Sequence, residues 1–276
     1  MKDYVEVTNV NLTKTKELRL KLPQLNWDFT FLKDNPTIQS KGYGIPPELK
    51  KINYPVRLLR YWFIYHFLLS HSEKVTEMDV CEIGVDDGQM LGFIEAAKIN
   101  GGEKLKFSSW DAVDVLIKKD ILVKAGYQNF YEVDLESADF ALGQKTYDAV
   151  ILLHVLEHLF EPEVLMTKLN KNLKPGGILV GGFPSLPACM ASKREKKIRP
   201  IAKKYGHVSV FSPERVRKIA RDNDLEVEFL SGAFFMRKKG FFLENYQWWI
   251  RFNLWFGGLF PSWPGEVYWV LRKPTK

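Results

Sequence analysis

Five consecutive residues, His154, Val155, Leu156, Glu157 and His158, carry the densest chemistry in the chain. On a helix, histidines four apart share a face. They could hold a divalent metal while the glutamate between them activates a water, as in zinc hydrolases with an H-x-x-E-H motif. Such a site needs the motif inside a long helix and a further ligand downstream. Here it follows directly on YDAVILL (147–153), a run apolar enough to be a buried strand. Strand-end chemistry therefore has to be weighed against the zinc site.

A second cluster of reactive types lies upstream. EIGVDDG (82–88) puts Glu82, Gly84, Asp86 and Gly88 in a strand-to-helix turn. The glycines let backbone approach a ligand, and the following helix N-terminus favours a carboxylate or phosphate. The turn departs from the dinucleotide pattern G-x-G-x-x-G, because its middle position is Asp86 and no third glycine follows. Asp86 repels a pyrophosphate but tolerates a ligand with an ammonium or another cationic centre. Asp111 ends the run KLKFSSWD, where a carboxylate can accept two hydrogen bonds from a ribose. Asp134 ends NFYEVD, where it could bond an adenine amino group. For each acid the competing role is a helix N-cap. His154 and His207 titrate near neutrality and are candidates for a general base, against a hydrogen-bonded structural role for each.

These residues act together only if the fold carries them to one edge. MDVCEIG (78–84), KLKFSSWD (104–111), NFYEVDL (129–135), YDAVILL (147–153) and ILVGGF (178–183) read as short strands. GQMLGFIEAAKI (88–99), AVDVLIKKDILVKAG (112–126) and PEVLMTKLNKNLKPGG (162–177) read as the helices between them. This alternation predicts βαβ units and a parallel sheet with helices on both faces, with ligands bound beyond the carboxyl ends of the strands. A serine-capped helix is expected over 212–224. Two last strands, LEVEFLS (225–231) and EVYWVLRK (266–273), lack an obvious crossover helix and suit an antiparallel pair. YPVRLLRYWFIYHFLLSHSEK (54–74) reads as a helix whose His66 and His71 stand away from the chemistry.

The ordered set E-x-G-x-x-x-G, an acid after each of the next two strands, YDAVILLHVLEHL and LKPGGILV resembles the class I S-adenosylmethionine-dependent methyltransferases. The match runs over about 78–183 and resumes at GHVSVFSPERVRKIARDNDLEVE (206–228). By pattern the chain is similar to small-molecule members, including ubiquinone-biosynthesis O-methyltransferases and enzymes of surface-polysaccharide synthesis. The resemblance implies an α/β, Rossmann-like, doubly wound, seven-stranded and mostly parallel sheet with an antiparallel last strand. It implies S-adenosylmethionine as cofactor and methyl transfer to an oxygen of a small molecule or glycan precursor, with a non-catalytic scaffold or binding subunit in which Asp86 has impaired the turn, or an RNA methyltransferase, as the alternatives. Glu82, Gly84, Asp86 and Gly88 would form the turn at its methionine portion, Asp111 would hold the ribose, and Asp134 with Leu135 the adenine. Leu153 and His154 would lie beside the methyl group, with His154 or His207 as base. In this family the segment after the fourth strand commonly ends in L-E-H. HVLEH is then explained by context, and Glu157 and His158 orient the loop. Ubiquinone-type relatives with E-x-x-E-H bind a divalent cation here. This chain has His154 at the first position, and no metal is expected.

Composition narrows the setting. The chain has 276 residues, 46% hydrophobic and 26% charged, with a net charge of +7. That balance admits anionic partners without choosing among them. Cys81 and Cys189 form no C-x-x-C pair, which argues for a reducing compartment. The polar start MKDYVEVTNV and the absence of a run of about 18 uncharged apolar residues predict a cytoplasmic protein without a membrane span. Residues 1–53 are expected to form an extension or cap, and 54–276 the methyltransferase domain, with acceptor-side insertions at 184–206 and 233–265. The first insertion is a basic loop that could clamp a phosphorylated acceptor. No RNA-binding module accompanies it, so nucleic acid ranks below a small-molecule or glycan acceptor. The second is crowded with Phe and Trp among basic residues and suits a lid, an apolar acceptor pocket or peripheral contact with the inner face of a membrane.

Overall fold

The structure, a computed structural model, describes residues 21–33, 52–203, 205–236, 238 and 241–275. Seven strands form one sheet: β1 (Met78–Ile83), β2 (Phe107–Asp114), β3 (Phe130–Glu132), β4 (Tyr147–Leu153), β5 (Leu173–Ser185), β6 (Glu226–Gly232) and β7 (Gly265–Arg272). Their order is β3-β2-β1-β4-β5-β7-β6. The first five pair in parallel, and β7 runs antiparallel to both β5 and β6. The order reverses between β1 and β4, the switch point where such sheets open a ligand crevice. The expected sheet and its reversed last strand are both present.

Helices cover both faces. On one, α1 (Leu59–Ser72), α2 (Gln89–Ile99) and α7 (Gln247–Leu259) pack a core that includes Trp62, Phe63, Phe93, Ile250 and the strand residues Trp110 and Tyr268. On the other, α4 (Pro162–Lys171) and α6 (Pro213–Asp222) bury Leu165, Leu169, Val216 and Ile219 against Ile83, Val150 and Leu179. β4 is buried on both faces, which is why its sequence is continuously apolar after Asp148. Ser212 caps α6, its hydroxyl accepting the Arg215 backbone N–H at 3.3 Å. Two further helices, α3 (Lys119–Ala125) and α5 (Ala188–Ile198), lie in the connections after β2 and β5.

Several boundaries differ from the sequence-based expectation. The strand expected to end at Asp111 continues to Asp114, and the following helix is only Lys119–Ala125. The run WDAV alternates with a strand's period: Trp110 and Ala112 join one core, Val113 the other. Pairing of Val113 with Ile83 and of Asp114 with Glu132 draws it into the sheet. LKPGG is the start of β5 rather than a helix stop, and the register with β4 shifts there. Lys174 anchors it by donating to Asp79 and Asp148, 2.8 Å from each. The basic insertion is helical, not a loop. From the expected N-terminal extension, Phe29, Phe31 and Leu32 are buried and Trp27 stacks on His66. Residues 1–20 and 34–51 lie outside the described residues.

Candidate active site

The turn after β1 is shaped by left-handed backbone. Gly84 has φ +74°, Gly88 φ +74°, and Asp86, a non-glycine, φ +45°. Aspartate tolerates this region better than most residues. At Gly84 a Cβ would sit 2.5 Å from Val155 Cγ2, so only glycine lets this turn lie against the segment after β4. Glu82 is buried. Its Oε2 accepts the Trp110 indole N–H at 2.9 Å and the Tyr127 hydroxyl at 2.6 Å. Burial lifts its pKa to about 7, although those two bonds pull the other way. Glu82 thus braces the turn through Trp110 and Tyr127. The charge of Asp86 does not stand alone: Lys118 Nζ lies 2.5 Å from Asp86 and 2.6 Å from Asp87.

Asp111 does not reach this edge. It faces the interior of β2 with its side chain fully buried and accepts hydrogen bonds from Lys145 (2.7 Å), Tyr147 (3.0 Å) and Asn129 (2.8 Å). The ribose role expected for it is corrected on that ground: the strand runs three residues past Asp111, and its carboxylate is already taken up by three protein donors, so it does not stand at the strand end. The acid at the strand end is Asp114, half-buried, accepting the Asp86 backbone N–H at 3.1 Å and the Leu116 N–H at 3.3 Å. Asp134 is exposed two residues past β3, where it accepts the Glu136 N–H at 2.9 Å. Leu135 beside it and Leu153 at the end of β4 are half-buried.

The segment after β4 is a turn of 3₁₀ helix, Leu156–His158, not a long helix. Its two histidines therefore point to different partners. His154, at φ +58°, donates from Nδ1 to Glu157 Oε1 at 3.0 Å, and its Nε2 lies 3.7 Å from Glu266 Oε2. Glu266 is buried and accepts from Arg60 (3.0 Å) and from the Tyr268 hydroxyl. Burial would lower the His154 pKa, but Glu157 and Glu266 outweigh it and raise it. Arg60 and His154 are thus gathered against two buried carboxylates, Glu157 and Glu266. His158 turns away, donating from Nδ1 to the Tyr205 carbonyl at 2.9 Å, and its ring lies 4.8 Å from that of His207. His207 is exposed, and desolvation is the main cause of its lowered pKa. One ligand atom each from Glu157, His158 and His207 lies within 4.8 Å of the others.

Beside this cluster is a cavity of about 320 Å³ lined by Glu157, Ser185, Arg194, His207, Ser209 and Gly265, among others. Glu157 Oε2 and Ser185 Oγ are buried without a hydrogen-bond partner. The edge thus brings together Gly84, Asp86, Gly88, Leu153 and His154, and His207 and Ser185 line the same cavity. Asp114, Arg60, Lys118 and Glu266 were not anticipated as site residues. Asp114 had a signal in the strand-period alternation of WDAVD. Arg60 and Glu266 had none, because a buried ion pair between residues 206 positions apart leaves no local pattern.

The methyltransferase-domain family matches residues 60–229. A ubiquinone biosynthesis O-methyltransferase of Rickettsia bellii is 22% identical over 204 residues, covering 67% of this chain and 75% of the relative. Among solved structures, one named as a sarcosine dimethylglycine methyltransferase of Galdieria sulphuraria has a TM-score of 0.53 at 12% identity, covering 80% of this chain and 87% of that one. The N-methyltransferase NodS of Bradyrhizobium japonicum, solved with S-adenosyl-L-homocysteine, gives 0.49 at 16% identity, covering 90% and 100%. With a family match across more than half its length, and a strand order, glycine turn and strand-end edge of the kind described above, the chain belongs to the methyltransferase-domain family and is a class I S-adenosylmethionine-dependent methyltransferase.

Proposed function

We propose that the chain methylates an oxygen of a small molecule or glycan precursor lodged in the cavity beside β5. The observation that carries this reading is the pair of buried, unpartnered oxygens, Glu157 Oε2 and Ser185 Oγ, on the cavity wall. Leaving such an atom unsatisfied costs about 1–3 kcal/mol, which a hydroxylated acceptor would recover. Arg194 on the same wall suits an acceptor that also carries phosphate.

The cofactor supplies an electrophilic methyl group on a sulfonium. Gly84 and Gly88 would admit its amino-acid portion, Asp114 would accept from the ribose hydroxyls, and Asp134 with Leu135 would border the adenine. Leu153 would lie against the methyl. His207, with its lowered pKa, is neutral at pH 7 and able to take the acceptor's proton. His154, bonded to Glu157 and facing Glu266, would fix the loop rather than accept a proton. Titration with S-adenosylhomocysteine, combined with turnover of His207→Gln on a panel of hydroxylated acceptors, tests the assignment. Unchanged cofactor affinity with turnover depressed about 10²-fold or more is expected; full turnover would remove His207 as the base.

One observation supports a second reading. His158 is fixed by its Nδ1–H on Tyr205, which leaves Nε2 free to ligate, and Glu157 and His207 are its neighbours. These three residues would hold a divalent cation that polarises the acceptor oxygen. Activity lost to a chelator and restored by a divalent metal would favour it over a free His207 base.

A further inference from the structure

α7 carries apolar side chains on both of its faces. Trp249, Ile250, Asn253, Leu254 and Gly257 are buried against the protein, and Gly257 meets Gly232 of β6 so closely that a Cβ would lie 2.3 Å from its carbonyl oxygen. The opposite face should be polar in a helix that merely covers a core. Instead Trp248, Trp255 and Leu259, spaced to share one stripe, are exposed, and Phe242, Tyr246 and Phe260 extend the patch at its two ends. Trp248 is 54% exposed and Phe242 64%, so the patch is open to solvent.

Charge decides what it fits. Residues 235–265 contain four cationic side chains, Arg237, Lys238, Lys239 and Arg251, and one acid, Glu244. That acid is buried, where it accepts the Val56 backbone N–H. Lys238 and Arg251 are exposed. An exposed aromatic stripe flanked by cations, with no exposed acid in its own segment 235–265 and Glu214 at its Ser262 end, is complementary to the headgroup zone of an anionic bilayer. Tryptophan and tyrosine rings favour that interface, and lysine and arginine meet phosphate there. A second copy of the same face would bring like charges together. None of the described helices is long and apolar enough to cross a membrane, so the contact is interfacial.

We infer that the α7 face docks on an anionic lipid surface. The docked surface adjoins the proposed acceptor site: α7 leads through Pro261–Pro264 into Gly265, which lines the cavity, and Glu266, which faces His154. An amphiphilic acceptor could then be drawn from the bilayer, an extension that rests on the acceptor site proposed above, whereas the docking does not.

Co-sedimentation of the full chain with vesicles of phosphatidylcholine, with and without one quarter phosphatidylglycerol, tests it. Binding to the anionic vesicles, a blue shift of tryptophan emission and weakening at high salt are expected. The triple variant Trp248→Ser, Trp255→Ser, Phe260→Ser should lose binding by about tenfold or more while its affinity for S-adenosylhomocysteine is unchanged. The inference is overturned if the wild type ignores both vesicles, or if the triple variant binds them as well. It is also overturned if sedimentation equilibrium shows a dimer that the triple variant splits, since the face would then be an interface between copies.

Discussion

Exchanging each of two aspartates for asparagine separates ligand binding from folding. Asp114 stands at the end of β2, half-buried, with one oxygen on the Asp86 N–H and the other on the Leu116 N–H. Asp114→Asn keeps one acceptor and removes the charge. If the carboxylate also holds the ribose hydroxyls, one charge-assisted bond is lost and another weakened. Such bonds are worth about 1.5–3 kcal/mol each, so a loss of about 2–3 kcal/mol is a roughly 30- to 150-fold rise in Kd. Asp111 is buried under Lys145, Tyr147 and Asn129. Asp111→Asn leaves the Lys145 ammonium facing a neutral amide in a partly buried site. Breaking a buried pair costs about 3–5 kcal/mol, and partial exposure of Lys145 places the expected cost below that range. Calorimetric titration with S-adenosylhomocysteine and denaturant melts on both variants give the four numbers needed. Asp114→Asn should bind weakly and melt almost normally, and Asp111→Asn should melt early and, where folded, bind normally. The reverse pattern would refute the assignment of the two acids.

Gly84→Ala forces a Cβ against Val155 at φ +74°. It should lower stability by about 1–3 kcal/mol and abolish tight cofactor binding, and a second change, Val155→Ala, should recover part of the stability but not the backbone strain. Glu266→Gln leaves Arg60 without its buried carboxylate and removes one of the two groups that raise the His154 pKa. Melting should fall by up to about 3–5 kcal/mol, and the His154 proton signals in NMR should titrate at lower pH than in the wild type. His71 is buried and sits at about 4, lowered mainly by desolvation and then by Arg272. The unfolded chain therefore takes up this proton near pH 6.5 and the folded one only near pH 4. Stability should decline as pH falls through that window, by at most about 3 kcal/mol from this group, and denaturant melts of His71→Gln should show a shallower slope there.

The sheet was legible because its evidence is local. YDAVILL and MDVCEIG announce buried parallel strands, and SPERVRKI announces a capped helix. The error at Asp111 has a physical source. WDAVDVLI is apolar at both helical and strand spacing, and only the pairing with β1 and β3 decides that it continues as a strand. The PGG of LKPGG read as a helix stop because Pro and Gly usually punctuate, whereas the Lys174 anchor on Asp79 and Asp148 keeps that segment in the sheet. The acceptor edge was half visible: His154 and His207 stand in recognisable motifs, but Arg60 and Glu266 are joined only by the fold.

The reversal of β7 has a consequence for how such a protein can change. A strand that runs against its neighbours starts at the edge where they end. The chain therefore leaves the sheet after Ser185 and after Gly232, and returns at Gly265, all at the same rim. Segments 186–212 and 233–264 both open and close at that rim, and each buries part of itself in the core, Phe211 from the first and Ile250 from the second, while another part faces outward. Lengthening the exposed part of either one re-specifies what the enzyme meets, while the buried anchors and the five parallel strands keep their pairing.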